Sequence, residues 1–256
     1  NEEIYYIRST NGGLNWGPAV RLTNNANVST LPSACVSGLT VIAVWNDTRD
    51  GNYEIYYKRS TDNGESWSAD TRLTNDGAIS LQPSCAASGS IVHLTWHDNR
   101  NGSDEIYYKR STDGGASWGT DTRLTSNAGV SWFASVDAWG NIVQTACVFN
   151  GTANTEIYTK RSTDAGVTWG ADLRLTNNPS ISIRPTISLS GTNAHIVWQD
   201  NIDGNDEIYH KYSTNGGADF SAGTRLTNDP DYSAYPCHTV SAAGVHVVWR
   251  DFRSGN

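Results

Sequence analysis

Apolar and polar residues alternate in short bursts along this chain, each burst bounded by turn residues. From Ile91 to Trp96, the side chains of Val92, Leu94 and Trp96 fall on one side of an extended backbone and those of His93 and Thr95 on the other. This is the period-two pattern of a strand. Upstream, Gln82 to Ala87 reads as another extended segment, closed by a turn at Ser88 and Gly89. Downstream, the polar loop Asn99 to Asp104 leads into Glu105-Ile106-Tyr107-Tyr108-Lys109-Arg110-Ser111, rich in the aromatic and β-branched residues that suit strands. Asp113-Gly114-Gly115 supplies a tight turn whose glycines accept positive φ, and a fourth strand is expected from Ser117 through Thr125. The pattern predicts four short antiparallel strands in a row.

That row recurs. Ser9, Ser60, Ser111, Ser162 and Ser213 stand 51 residues apart, so five units and one further residue make up the 256. A fixed period of this kind marks a repeat architecture and excludes a two-domain α/β enzyme. One small sheet cannot bury both of its faces, so neighbouring units must stack, and a closed ring leaves no raw ends. The chain begins in a third strand, Glu3-Ile4-Tyr5-Tyr6, and ends just after a second, at Trp249-Arg250-Asp251 and the residues that follow. The expectation is an all-β, five-bladed β-propeller of four-stranded antiparallel blades, one domain over residues 1–256. Its blades would be 28–78, 79–129, 130–180, 181–231, and 232–256 joined with 1–27, the last closed by both termini.

Composition narrows the function. With 24 Gly, 10 Trp and 12 Tyr the chain suits a turn-rich β protein, and it has no 18-residue apolar run, so no membrane insertion is expected. A net charge of −8 argues against a duplex nucleic-acid partner, which would require a basic stripe. The absence of Met and the Asn start suggest a processed or trimmed chain, with no signal peptide in view. Cys35, Cys85, Cys147 and Cys237 have no metal-ligand spacing. They read as buried thiols acting as small hydrophobes, with a disulfide between neighbouring units left open. His93, His195 and His246 occupy equivalent places in separate units and cannot converge on one metal, while the loop of Asp200, Asp203, Asn205 and Asp206 is acidic but lacks the full spacing of a calcium loop. Neither metal nor cofactor is expected. Asp137, the one acid on a first strand, is expected to be solvated in the central channel.

The turn between the third and fourth strands carries the clearest motif. It reads Ser60-Thr-Asp62-Asn-Gly64-Glu-Ser-Trp67, then Ser111-Thr-Asp113-Gly-Gly115-Ala-Ser-Trp118, then Ser162-Thr-Asp164-Ala-Gly166-Val-Thr-Trp169. Looser copies start at Ser9 and Ser213, with Asn11 and Asn215 for Asp and Phe220 for Trp. These residues match the Asp-box, and the chain resembles the sialidase-like BNR/Asp-box β-propellers. The box is structural chemistry: the short acid accepts backbone N–H bonds, Gly takes a left-handed conformation, and Trp packs the turn on the sheet. The resemblance places the boxes on the rim and the functional site on the opposite face, among the loops joining second to third strands and successive units.

The resemblance also implies an arginine triad holding a sugar carboxylate, because guanidinium forks match carboxylates. Arg49, Arg100 and Arg253, from the repeated Trp-x-Asp-x-Arg, are candidates for it. The alternative is that each pairs with the Asp two residues before it or with a third-strand Glu. The residues unlike their counterparts are the other candidates: Trp132 and Phe133, an aromatic pair able to stack on a sugar, or else packing that compensates for Cys147 where other units have Trp, together with Arg184 and Tyr235. A sialidase would further require a Tyr nucleophile paired with a Glu and an Asp acid/base, and none can be assigned, so no catalytic residue is named. The reading is a glycan-binding, lectin-like, non-catalytic propeller for acidic sugars, extracellular or at the cell surface, with a glycan or glycoconjugate as partner. Two alternatives remain: a sialidase or related glycoside hydrolase, and a structural or protein-interaction module beside other domains of a larger secreted chain.

Overall fold

The computed structural model describes residues 1–151, 154–241 and 243–253. All its regular elements are strands, grouped in six antiparallel sheets. Four are four-stranded, in chain order: β3 (Ser29–Ser37), β4 (Thr40–Asp47), β5 (Glu54–Ser60) and β6 (Thr71–Arg72) form the first. β7 (Ser80–Ser88), β8 (Ile91–Asp98), β9 (Glu105–Ser111) and β10 (Thr122–Arg123) form the second, and β11 (Val130–Trp139), β12 (Ile142–Asn150), β13 (Thr155–Ser162) and β14 (Leu173–Arg174) the third. The fourth holds β15 (Ser182–Ser190), β16 (Asn193–Asp200), β17 (Glu207–Ser213) and β18 (Thr224–Arg225). Two-stranded sheets flank these, β1 (Tyr5–Tyr6) with β2 (Val20–Arg21), and β19 (Ser233–Ser241) with β20 (Gly244–Asp251).

Stacking makes the core. Ile42, Val44, Ile55 and Tyr57 of the first sheet meet Val92, Leu94 and Trp96 of the second, and Val148 and Ile157 of the third meet Ile187, Ile196 and Trp198 of the fourth. The second strands carry most of this apolar surface and lie between neighbours on both edges, so Trp45 and Trp96 are fully buried. At the hub, serines of the first strands tie sheet to sheet: Cys85, Val136 and Ile187 donate backbone N–H bonds of 3.2 to 3.3 Å to Ser33, Ser84 and Ser135.

Two expectations need correction. The fourth strand is a two-residue strand, Thr122–Arg123 in the second sheet, not a run from Ser117. Before it the backbone keeps one link, Gly119 N–H to Arg110 O at 2.9 Å, and Asp121 is taken up by Arg100 and Lys109.

In place of one four-stranded sheet shared by both termini there are two two-stranded sheets, β1 with β2 and β19 with β20. β1 and β2 stay with the first sheet, where Ile4 and Leu22 pack on Ala43, Trp45 and Tyr56. β19 and β20 lie against the fourth, β19 bonding through His238 to Thr186. No hydrogen bond joins the two half-sheets among the described residues, and Trp249 of β20 is 38% exposed where its counterparts are buried. A series of bonds between sheets also ends here. Arg8, Arg59, Arg110 and Arg161 each donate to a backbone carbonyl in the next sheet's turn between third and fourth strands, at 2.6 to 2.9 Å. The residue at the next place in that series is Tyr212, which is half exposed and stacks on His210 instead.

Candidate functional site

The two faces of the molecule have different chemistry. On one lie the repeated Ser-Thr-Asp/Asn-x-Gly turns between third and fourth strands, the boxes of the sequence. In the first complete copy, Ser60 Oγ accepts from Gly64 N at 2.7 Å and Asp62 Oδ1 accepts from Ser66 N at 2.9 Å. The Ser66 hydroxyl and backbone, followed by Ser60, hold the Asp62 carboxyl well below its ordinary range. The same set surrounds Asp113 and Asp164, the latter lowered to about 2 by the Thr168 hydroxyl first and then by backbone and Ser162 bonds. Box tryptophans meet tyrosines of the preceding sheet edge-on: Trp67 on Tyr6, Trp118 on Tyr57 and Trp169 on Tyr108, with centroids 5.0 to 5.5 Å apart. Carboxylates saturated in this way act as fasteners.

The opposite face holds the candidates. Arg49 grips Asp47 in bidentate fashion at 2.8 and 2.6 Å, bonds Asp70 at 2.6 Å and lies 4.4 Å from the Tyr56 ring centre. Arg100 repeats this with Asp98, Asp121, Asp76 and Tyr107. Arg253 grips Asp251 at 2.8 and 2.6 Å. Burial would raise the Asp98 carboxyl, but bonds from Arg100, Ser80 and Trp96 outweigh it and leave its pKa lowered. These three arginines are therefore placed as clamps of their own loops, the arrangement weighed above as the alternative to a triad, and none lines the cavities described next.

The unlike residues do come together. Each first strand carries a β-bulge, one extra residue against its neighbour, between Thr30 and Ser33, Leu81 and Ser84, Trp132 and Ser135, Ile183 and Thr186, and Ala234 and Cys237. Bulges re-aim side chains. Within them Leu31, Gln82, Phe133, Arg184 and Tyr235 all take φ of 50° to 56°, a conformation that costs a side-chain-bearing residue on the order of 1 kcal/mol. Glycine would avoid that cost at every one of the five places, and none has it. All five side chains line one pocket at the hub, with a volume of about 390 Å³, in the range of small-ligand sites.

Within the pocket the Arg184 guanidinium lies 3.8 Å from the Tyr235 ring centre and 4.8 Å from that of Phe133. Arg250 approaches the same Tyr235 ring at 5.6 Å. Neither arginine has a carboxylate partner among the described residues, whereas Arg49, Arg100 and Arg253 each have at least two. Sequence reasoning missed Arg250, and with it a second varied ring: Asn46, His97, Val148, Gln199 and Arg250 occupy one place at the ends of the second strands. Asn46 and Gln199 accept the backbone N–H of Gln82 and Tyr235 at 3.1 and 3.2 Å, so this ring directly braces the first. The signal was available in the sequence: the x of Trp-x-Asp differs in every unit.

The remaining candidates are dispersed. Asp137 is half-buried rather than solvated, accepting Leu189 N at 2.7 Å, and burial pushes its pKa up. His93 bonds Tyr108 at 2.7 Å and His195 bonds His210 at 3.0 Å, in different sheets. In the acidic loop, Asp203 pairs with Arg225 and Asp200 accepts from Ser182 and Trp198, so its carboxylates turn to separate partners. All four cysteines are free, and Cys237 is exposed, not buried.

No protein-family profile matches the chain, and no curated protein matches it in sequence. Solved structures do. The GH93 α-L-arabinofuranosidase of Fusarium graminearum, solved with arabinobiose, superposes with a TM-score of 0.63 at 14% identity, covering 86% of this chain and 74% of that one. Trypanosoma rangeli sialidase with the inhibitor DANA gives 0.59 at 10% identity, covering 92% and 54%. Leech intramolecular trans-sialidase gives 0.59 at 14% identity, covering 78% and 51%. The fold is a β-propeller. Similarity at these identities is a likeness of fold alone, shared with propeller glycoside hydrolases.

Proposed function

We propose that this propeller binds acidic glycans through one site, the hub pocket. One observation carries the reading: Phe133, Arg184 and Tyr235, from three successive sheets, converge on a single cavity where the cation lies on two aromatic rings without a carboxylate partner. Aromatic faces suit the apolar C–H face of a sugar ring, and a guanidinium left without a carboxylate suits a sugar carboxylate. The repeated residues, by contrast, are consumed by the scaffold, which favours one specific site over several weak equivalent ones. Glycans of this kind suit the extracellular or cell-surface setting.

A glycan array followed by calorimetry tests the reading. Binding confined to sialylated or uronate-bearing glycans, and lost in Arg184→Ala, is the expected result. Equal binding by Arg184→Ala, or no binding to any acidic glycan, would overturn it.

The second reading, a glycoside hydrolase, is supported by the fold likeness to an arabinofuranosidase and to sialidases and by one half-buried carboxyl, Asp206, whose pKa burial raises. Turnover of a fluorogenic sialoside or arabinofuranoside would establish it in place of the first. Silence in both assays would leave the interaction-module reading.

A further inference from the structure

A second cavity, of about 450 Å³, leaves the hub between the second and third four-stranded sheets. It shares Leu31, Gln82 and Phe133 with the hub pocket and runs outward past Leu81, His97, Asp104 and Trp132. The two cavities thus adjoin along these three residues, and together they outline a groove. From this groove we infer that the ligand is an acidic unit joined to a neutral sugar, the acid at Arg184 and the neutral ring between Trp132 and the His97/Asp104 pair. This inference rests on the reading of the hub as a glycan site and extends it to a second subsite.

The outer cavity has the two kinds of wall that a neutral sugar requires. Trp132, Leu81 and Leu31 are apolar, and Trp132 is the only aromatic residue at its place in the five units, where the others are Thr30, Leu81, Ile183 and Ala234. Opposite stand polar atoms without partners. His97 is only 8% exposed, yet its Nδ1 has no hydrogen-bond partner among the described residues, and burial lowers its pKa against the pull of Asp104 and Asp98. Gln82 Oε1, where the cavities meet, is likewise buried without a partner. Such atoms are costly unless something bonds them. Both atoms are covered in the structure, so the group left open to a sugar hydroxyl in this cavity is the half-exposed Asp104 carboxylate.

Asp104 sets the order of charge. Its carboxyl side chain has no hydrogen bond among the described residues; only its backbone oxygen is engaged, by Ser131 N at 2.7 Å. A second acidic unit beside it would be repelled, whereas hydroxyls are accepted. The groove therefore carries the unpartnered cation of Arg184 at the inner end and a carboxylate at the outer end, and discriminates an acidic–neutral pair from a run of acids.

Calorimetry on the intact chain with matched probes tests this: methyl sialoside against 3′-sialyllactose, and methyl glucuronide against an aldobiouronic acid and a di-uronate. The acidic–neutral disaccharide of the bound series should exceed its monosaccharide by at least about tenfold and exceed the di-uronate as well. In Asp104→Asn, a half-exposed position with no fold to disturb, and in Trp132→Ala, that ratio should fall toward one. Asp104→Asn should also admit the di-uronate. Monosaccharide and disaccharide binding alike in the unaltered protein, or ratios undiminished in both variants, would overturn the second subsite while leaving the hub reading intact. Failure of every acidic probe to bind would overturn the hub reading and this inference together.

Discussion

The hub and the rim are built from the same repeat, yet they use it in opposite ways. At the rim, five copies of one turn keep nearly the same residues, and the turn carboxylates are matched inside the protein, as Asp113 is by Ser117 and Ser111. At the hub the five equivalent places hold Leu31, Gln82, Phe133, Arg184 and Tyr235, all in the left-handed region. Several polar atoms there and on the second ring, Gln82 Oε1, His97 Nδ1 and Asn46 Nδ2, lack partners among the described residues. The difference teaches how to read repeats: sameness with hydrogen-bonded carboxylates marks scaffold, while unlikeness combined with backbone strain and a shared cavity marks a site.

That contrast can be broken by experiment, beginning with the arginine clamps of the loops. Arg100→Ala leaves Asp98 buried without its cation and should cost about 3 kcal/mol of stability, read by chemical denaturation. Gly166→Ala should follow closely. Gly166 sits at φ +79° against the Tyr108 ring, so a methyl group meets both strain and a clash, worth about 2–3 kcal/mol. At the hub, Arg184→Ala should do the reverse. It should remove about 2 kcal/mol or more of binding energy while moving the unfolding midpoint little, as measured by calorimetry beside thermal melting. If Arg184→Ala instead unfolds the chain and Gly166→Ala is silent, the division between hub and rim is wrong.

Protonation sharpens the comparison. His93 and His238 are lowered to about 4, chiefly by burial, so the unfolded chain takes up their protons near pH 6.5 before the folded one does. Their contribution is therefore complete above about pH 6.5 and is lost as pH falls toward 4. The box carboxylates, depressed by their hydrogen bonds, act lower: their contribution is present above the unfolded carboxylate range and disappears as pH falls through the value of about 2 at Asp164. Melting curves from pH 7 to 2 should show two successive declines, and His93→Gln should shrink only the first.

The smallest effect expected is Leu31→Gly. Relief of the left-handed strain at φ 50° opposes the greater unfolded-state freedom of glycine, leaving stability within about 1 kcal/mol of the parent. A large loss there would mean that Leu31 packs the hub rather than lining a pocket.

Much of this architecture was legible beforehand. The 51-residue period, the strand order within a unit and the tight turns between third and fourth strands follow from local pattern, because alternation and turn chemistry act over a few residues. Phe133, Arg184, Tyr235 and Trp132 stood out by being unlike their counterparts. Arg49 and Arg100 stayed open between two readings because a repeated arginine looks the same whether it meets a ligand or an aspartate two residues away. Arg250 and His97 went unnoticed because their place in the repeat was judged by its invariant flanks.

By itself, then, the sequence determined an all-β repeat, its turns and their hydrogen-bonded carboxylates, since those depend on neighbours along the chain. Only the tertiary structure decided that the terminal strands lie in two two-stranded sheets, that the first strands bulge at the hub, and that cations from separate sheets share one ring at Tyr235. Those outcomes depend on how sheets hundreds of atoms apart stack, a sum of small packing terms that no local pattern encodes.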